Sequence, residues 1–485
     1  MRTAAIRFAG SVAVCTALCA GCTVGPDFQR PSPPATDRLL RAPLAETPGP
    51  SGPGIGEQRF VSGIRIDRKW WTVFGSPTLN SLVLQAFEHS PTVEAAQAAL
   101  RQAQENTAAQ YAAYFPTLQA GYAPSRQRNA VGTISPTLAS GDPIYTLHTA
   151  QLSISYMPDV FGLNRRSVES LAAQQEVQHF ALEATYLTLA ANVVAGAFQQ
   201  AALQGQIRST EQVIAMQARS LDILKRQAEV GFASGIDVAA QEAALAQAQQ
   251  ALPALQKQLE QTRNMMAVLT GRLPADGGRE DFDFETLRLP AELPISLPAD
   301  LVERRPDVRA AEAQVHAASA QVGVAVASRL PQLSISALYG GTATQFGRMF
   351  ADDNTFWVVT GNVTQTLFDF GGLMHRQHAA EAAFDQAKAQ YRSVVLAAFQ
   401  NVADTLYAID ADARTLAAAI TAEAAARKSL NLTQRQLDAG AVNVLALLNA
   451  QQAYEQSRIA CIQAQAARYV DSAALFQALG GGWPR

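Results

Sequence analysis

The clearest chemistry-bearing residue in this chain is a cysteine. The stretch CAGCTVGPDF (residues 19–28) follows Arg2, Arg7 and a short apolar run, residues 8–20, rich in small side chains. Such a leader is shorter than a membrane span, which needs about 20 apolar residues, and has the form of a secretory signal. Ala20 and Gly21 suit the narrow pocket of a signal peptidase, and cleavage there makes Cys22 the first residue of the mature chain. A cysteine so placed is a substrate for thioether linkage to diacylglycerol and for N-acylation, although Cys19 stands where leucine is commonest in that signature. The competing reading is an ordinary signal cut nearby, leaving Cys22 a free thiol. Of the four cysteines, Cys15 and Cys19 leave with the signal, and only Cys461 remains beside Cys22, so no intramolecular disulfide is expected. Cys461 lies in an Ala/Gln-rich helical stretch and reads as a small buried residue.

Other reactive side chains have bland readings. His375 and His378 are one helical turn apart, a spacing metals use, but only Glu381 stands near them, and a solvated helix start is the default. ERRPDVR (residues 303–309) reads as a surface ion-pair cluster. Trp70 and Trp71 read as anchors for packing. No phosphate loop, nucleophile motif or paired-carboxylate site is present, so no enzyme activity, metal or cofactor is expected beyond lipid on Cys22. The formal charge of −3, made more negative when Arg2 and Arg7 leave, gives no basic excess to attract nucleic acid. No second apolar run of 18 or more residues follows the leader, so no transmembrane helix is expected; a membrane crossing would need a β-barrel.

The elements come as an internal duplication. Residues 90–120 align with 305–335 at an offset of 215: Pro91 with Pro306, Val93 with Val308, Pro116 with Pro331. Further on the offset becomes 209: Phe161-Gly162 with Phe370-Gly371, Arg226 with Arg435, Gly231 with Gly440, Gly271 with Gly480. The difference falls between Gly121 and Val160. Each half runs helix, proline, strand pair, very long helix, return helix. Leu152, Ile154 and Tyr156 alternate with Gln151, Ser153 and Ser155, and Leu333, Ile335 and Ala337 with Ser334 and Ser336, the period of a strand with one apolar face. Residues 373–439 contain neither Gly nor Pro and would span about 100 Å as a helix. Shorter helices, 91–115 with 235–270 and 306–330 with 444–479, would stack end to end beside the long ones; a bend is expected at Pro253. Four strands cannot close a barrel, since transmembrane barrels have at least eight, whereas three copies supply twelve strands and twelve helical columns.

GCTVGPDFQRP, WWTVFGSPTLNSLVLQAFEHSPTVEAAQAALRQA, LPADLVERRPDVRAAEAQVHAA and FDFGG, in this order, give the resemblance. The chain resembles the outer-membrane efflux protein (TolC-like) family, and within it the NodT-type outer-membrane lipoproteins of tripartite RND efflux systems, over nearly all of its mature length. The resemblance implies a fold that is mainly α with a transmembrane β part. That fold is internally duplicated: a trimeric 12-stranded outer-membrane β-barrel continuous with a 12-helix periplasmic α-barrel. The implied organisation is a signal peptide (1–21), a lipidated N-terminal and equatorial segment (22–88) and a first repeat (89–271, strand pair 117–158). An irregular inter-repeat equatorial linker (272–302), a second repeat (303–480, strand pair 332–369) and a tail (481–485) follow. The implied partners are two further copies, a periplasmic adaptor, an inner-membrane RND-type transporter and outer-membrane lipid, with no nucleic acid. The implied function is passive export of drugs or small toxic compounds. The exit duct of a type I protein or peptide secretion system is the alternative, and a poreless lipid-anchored coiled-coil scaffold a third reading, which the strand pairs oppose.

The resemblance also implies a nearly closed periplasmic tip at the helix turns, around Gly231, Asp237, Gly440 and Asn449. The acidic-ring positions of the second turn read Ala446 and Asn449, and the Tyr and Arg link positions read Leu437 and Val442, so the usual closing contacts are missing. Either another set, Asp438, Arg435 and Asn443, closes this tip, or apolar contacts do. Asp237 serves equally as a helix cap.

Overall fold

The computed structural model describes residues 23–32, 56–64, 66–128, 144–276, 280–295 and 298–482. They fall into two compact units, one drawn from residues 1–30, 101–177 and 312–390, the other from 31–100, 178–311 and 391–485.

The first unit holds a four-stranded antiparallel sheet of β2 (Thr117–Arg128), β3 (Ile144–Tyr156), β5 (Gln332–Ala343) and β6 (Thr355–Thr364), in the order β2-β3-β5-β6. Its register carries the duplication. Thr117 faces Ser155 and, at the two offsets, Gln332 faces Thr364; the correspondence continues to Arg126 facing Thr146 and Gly341 facing Thr355. The length difference between the halves therefore lies in the connections between paired strands. Into this unit also run the ends of α2 (Pro91–Tyr111) and α6 (Pro306–Ala327) and the starts of α3 (Leu163–Glu229) and α7 (Gly372–Asp438), the last two of 67 residues each.

The second unit contains the main core. The 3-10 turn Trp70–Phe74 buries Trp70, Trp71 and Phe74, with the Trp70 ring stacked on Phe476 at 5.6 Å and Phe74 set edge-on to Phe198 at 4.9 Å. The turn leads into α1 (Pro77–His89), capped by the Ser76 hydroxyl, which accepts from the Leu79 amide, with proline at the first position. Return helices α4 (Gly235–Leu269) and α8 (Val444–Ala478) belong here. α4 runs on through Pro253. The duplication persists in the packing: Gly271 sits against the His89 carbonyl and Gly480 against that of Arg304, at the same two offsets.

Two expectations need correction. The linker is irregular only in part: residues 280–291 form neither helix nor strand, but β4 (Glu292–Ile295) pairs in parallel with β1 (Arg59–Ser62), α5 (Pro298–Arg304) follows, and Phe282, Leu287, Leu293 and Leu301 are core residues. The stretch before α6 is not a surface cluster: Arg305 is buried, pairs with Asp307 at 2.7 Å and donates to the Ala478 carbonyl at 2.8 Å, so it holds the end of α8. α3 does contain an 18-residue window apolar enough, by length and composition alone, to span a membrane. Leu187, Leu189, Val193, Val194 and Phe198 in α3 are core residues, so this helix spends its apolar face on packing.

Candidate functional site: an amphipathic sheet and a helix-turn tip

Pairing in the sheet keeps side-chain faces together, since the period is two. Leu118 faces Ile154, Ile154 faces Ala337, Tyr156 faces Ile335, Leu333 faces Val363 and Tyr339 faces Trp357. The opposite face gathers Gln119 with Ser153, Ser155 with Ser336 and Ser334 with Asn362. The apolar face is bare in one copy: Trp357, Val359, Val363, Leu118 and Ile154 are all exposed. Such a face is costly in water and at home in hydrocarbon. The outer strands β2 and β6 carry the two unpaired edges, and backbone donors and acceptors left open there cannot remain so in a bilayer.

In the second unit the long helices end in two equivalent turns. Gly231 (φ +81°) and Gly440 (φ +72°) take left-handed conformations after α3 and α7. The next amides, Phe232 and Ala441, reach back to the carbonyls of Gln227 and Gln436. Asp237 completes a capping box: its backbone amide donates to Ser234 Oγ at 3.1 Å, and its carboxylate accepts from the Ser234 amide and hydroxyl. Asn443 caps α8 by accepting from the Ala446 amide at 3.1 Å. The two turns share a cavity of about 490 Å³ lined by Asp237, Gly440, Asp438, Asn443, Phe232 and Leu437 among others. Gly231 and Asn449 are exposed and do not line it. Among the alternative closing residues, Asn443 is engaged as a cap and Asp438 accepts from Gln434 at 3.1 Å. Phe232 and Ile236 stand far out in water, at 87% and 81% exposure.

Cys22 lies outside the described residues. The segment that follows it is clamped within the first unit. Arg166 of α3, buried, donates to the Val24 and Gly25 carbonyls and to Asp27 Oδ1 at 2.7 Å, and also holds Glu169 at 2.8 Å. Burial works against the guanidinium charge, and Asp27 and Glu169 more than offset it, raising its pKa. Phe28 stacks on His316 at 4.3 Å, and Arg30 pairs with Glu312 at 2.9 Å.

Sequence reasoning missed this clamp and a polar knot in the second unit. Arg468 of α8, 1% exposed, donates to Gln58 Oε1 at 3.1 Å and to the Gly56 carbonyl at 2.9 Å. Burial and the Asp471 carboxyl push Asp412 of α7 up to about 7, against the pull of Arg468. The available signal was Arg and Asp spaced through the otherwise apolar stretch ARYVDSAALF. Cys461 is half-buried rather than buried, and burial pushes its thiol up. His375 and His378 face each other edge-on at 6.2 Å, and among the described residues they join no cluster of three metal-binding side chains.

A sheet that is apolar on one face, polar on the other and open at both edges, in a chain dominated by long helices, defines an outer-membrane channel built on an α-helical duct. The profile described as outer membrane efflux protein matches residues 82–272 and 297–481. The pyoverdine export outer membrane protein OpmQ of Pseudomonas putida is 31% identical over 419 residues, covering 86% of this chain and 88% of that protein. The toluene efflux pump outer membrane protein TtgC of Pseudomonas putida is 28% identical over 476 residues, covering 98% and 95%. The solved outer-membrane channel OprN matches with a TM-score of 0.84 at 26% identity, over 95% of this chain and 100% of that one. The Campylobacter jejuni CmeC outer membrane channel shares the fold, with a TM-score of 0.84 at 18% identity and 95% coverage of each chain. The chain belongs to the outer membrane efflux protein family. It is an efflux channel of the outer membrane that extends into the periplasm, a transport duct rather than an enzyme.

Proposed function

We propose that three copies form a passive exit duct for small toxic compounds, fed by a proton-driven RND-type inner-membrane pump through a periplasmic adaptor. The mature chain is tethered to the outer membrane by lipid on Cys22. The observation that carries this reading is the amphipathic sheet with two bare edges, which one chain cannot close and three can. The cargoes named for OpmQ and TtgC, pyoverdine and toluene, are both small molecules, which favours small-compound export over protein secretion. The test is a deletion strain together with purified protein in planar bilayers. Stepwise ion conductance and a hypersensitivity to solvents or drugs, with an unchanged secreted proteome, are expected. A purified protein that conducts nothing, or a deletion that alters only secreted proteins, would overturn the reading.

The tip residues belong to this proposal. Asp237 both caps α4 and helps set tip closure. Asp237→Ala is expected to cost about 1 kcal/mol of local helix stability and to raise single-channel conductance. A pore of unchanged conductance leaves Asp237 a cap alone.

A further inference from the structure

The connection from β5 to β6 does not stand clear of the sheet. Residues 344–354 fold back over its apolar face as a strap. Gly341 lies under the strap: a Cβ there would collide with the Met349 carbonyl, and Met349 is itself buried. Phe346 reaches across to the first two strands, edge-on to Tyr122 of β2 at 5.7 Å and to His148 of β3 at 6.1 Å. The Tyr122 hydroxyl and His148 Nδ1 are hydrogen-bonded at 2.8 Å. The strap is fixed by its own polar groups: the Thr342 amide donates to the Asn354 carbonyl at 2.9 Å, and Asn354 Nδ2 to the Arg348 carbonyl at 2.8 Å.

The strands meet the helices at their other ends, since Thr117, Tyr156, Gln332 and Thr364 are the strand residues nearest α2, α3, α6 and α7 in the chain. With the helices in the periplasm, as in the duct reading on which this inference rests, the strap marks the outer rim. Leu118, Tyr122, Arg126 and Arg128 share one face of β2, so both arginines stand on the apolar side. Arg128 lies ten residues beyond Leu118, about 34 Å along a strand and about 26 Å up the membrane normal at a tilt near 40°, where an apolar band of about 25 Å ends. At the offset of 215 the equivalents of Arg126 and Arg128 are Gly341 and Ala343, both buried. The rim is therefore covered on the second half and charged on the first. Arg348, on the strap itself, adds a third cation.

Arg126, Arg128 and Arg348 are exposed, and among the described residues none has an ion-pair partner; Asp352 and Asp353, where the strap returns, pair with none of them. A lipid-facing arginine is costly at the bilayer midplane and tolerated near the interface, and its planar fork matches phosphate oxygens in pairs. Tyr122, Phe346 and Phe350 are exposed beside the strap, ring types suited to the boundary between headgroups and chains.

We propose that this rim binds a phosphorylated glycolipid of the outer leaflet. Arg126, Arg128 and Arg348 take its phosphates, and Phe346 and Phe350 lie against the start of its acyl chains. Charge selects this occupant over a zwitterionic lipid: three cations outnumber the two carboxylates of the strap, and on the lipid side their counter-anion must come from lipid.

The test titrates the full-length protein, purified in mild detergent, with bisphosphorylated lipid A and with the same lipid after phosphatase treatment. Arg126→Gln, Arg128→Gln and Arg348→Gln combined are expected to weaken lipid A binding at least about tenfold, with the helical signal unchanged. The dephosphorylated lipid is expected to bind the natural protein and the triple variant equally weakly. Equal binding of the two lipids by the natural protein, or equal lipid A binding by the triple variant, overturns the inference. Excess inorganic phosphate is expected not to compete; competition makes the rim a site for free phosphate and removes the lipid. Orientation is read separately, with Asp352→Cys in a Cys461→Ser background and a membrane-impermeant maleimide. Labelling on intact cells is expected. Labelling only after lysis overturns the orientation of the duct together with the inference, whereas labelling of intact cells without lipid discrimination overturns the inference alone.

Discussion

Arg468→Met is expected to weaken the second unit by about 3–5 kcal/mol, because it takes one partner from a buried charged network and leaves the others in place. The guanidinium is 1% exposed and ties α8 to Gln58 and Gly56, in the segment that precedes β1. Gln58 in turn donates to the Pro290 carbonyl and to Ser472 Oγ, so the loss reaches the β1–β4 pair. It also removes the charge that partly offsets the closeness of Asp412 and Asp471. Adding Asp412→Asn to Arg468→Met is therefore expected to recover part of the stability. Thermal loss of helical signal in detergent, read for the single and double variants, checks both statements.

The same network sets a pH dependence with a definite sign. Asp412 is raised from its ordinary value of 3.8 to about 7, first by burial and then by Asp471. A carboxyl raised on folding contributes stability that is present in full below its unfolded value and is lost as pH climbs through the folded one. The second unit is thus expected to be most stable near pH 4 in this respect, and to lose about 2 kcal/mol by pH 8, after discounting for the partial exposure of Asp412. In Asp412→Asn that slope should flatten.

The parts legible in the sequence were those that local rules govern. Period-two alternation marked β3 and β5, and the absence of Gly and Pro from residues 373–439 marked α7 almost to its ends. Asp237, three residues after Ser234, was legible as a cap because a capping box spans one helical turn. What stayed hidden depends on partners far apart in the chain. β1 and β4 are four residues each, and alternation over so short a run does not distinguish them from coil; they become strands only by pairing with each other. Arg305 belongs to a charged run, and nothing nearby says that the Ala478 carbonyl, 173 residues on, will accept from it. Arg166 and Arg468 are the same case, with contacts across 142 and 410 residues.

Arg166→Ala is the second large effect, and it links the buried clamp to the membrane tether proposed at Cys22. The side chain is 5% exposed and makes four polar contacts, three of them to residues 24–27. Glu169, freed of it, keeps among the described residues His316, whose ring carries Phe28. Gly25 packs so closely on the Gly323 backbone that a Cβ at that position would clash with it. Alanine should therefore cost about 1.5–3 kcal/mol in lost charge-assisted hydrogen bonds and release residues 23–30 from the first unit. Lysine should rescue little, since one ammonium cannot serve two carboxylates and two carbonyls in the geometry of a planar fork. Limited proteolysis of membranes checks this: faster cleavage near Asp27 in the alanine variant, with lipid labelling of the chain unchanged. The separation matters for function. If lipid on Cys22 only holds the duct to the membrane, the alanine variant stays tethered and conducts normally. If the clamp is what delivers the tether's constraint to the base of β3, where the Val24 amide donates to the Phe161 carbonyl just beyond the strand, the same variant loses trimers at a lower temperature while its lipid remains in place. The second outcome is the one expected, because Arg166 is buried at the head of α3 and makes three of its four polar contacts to this short segment.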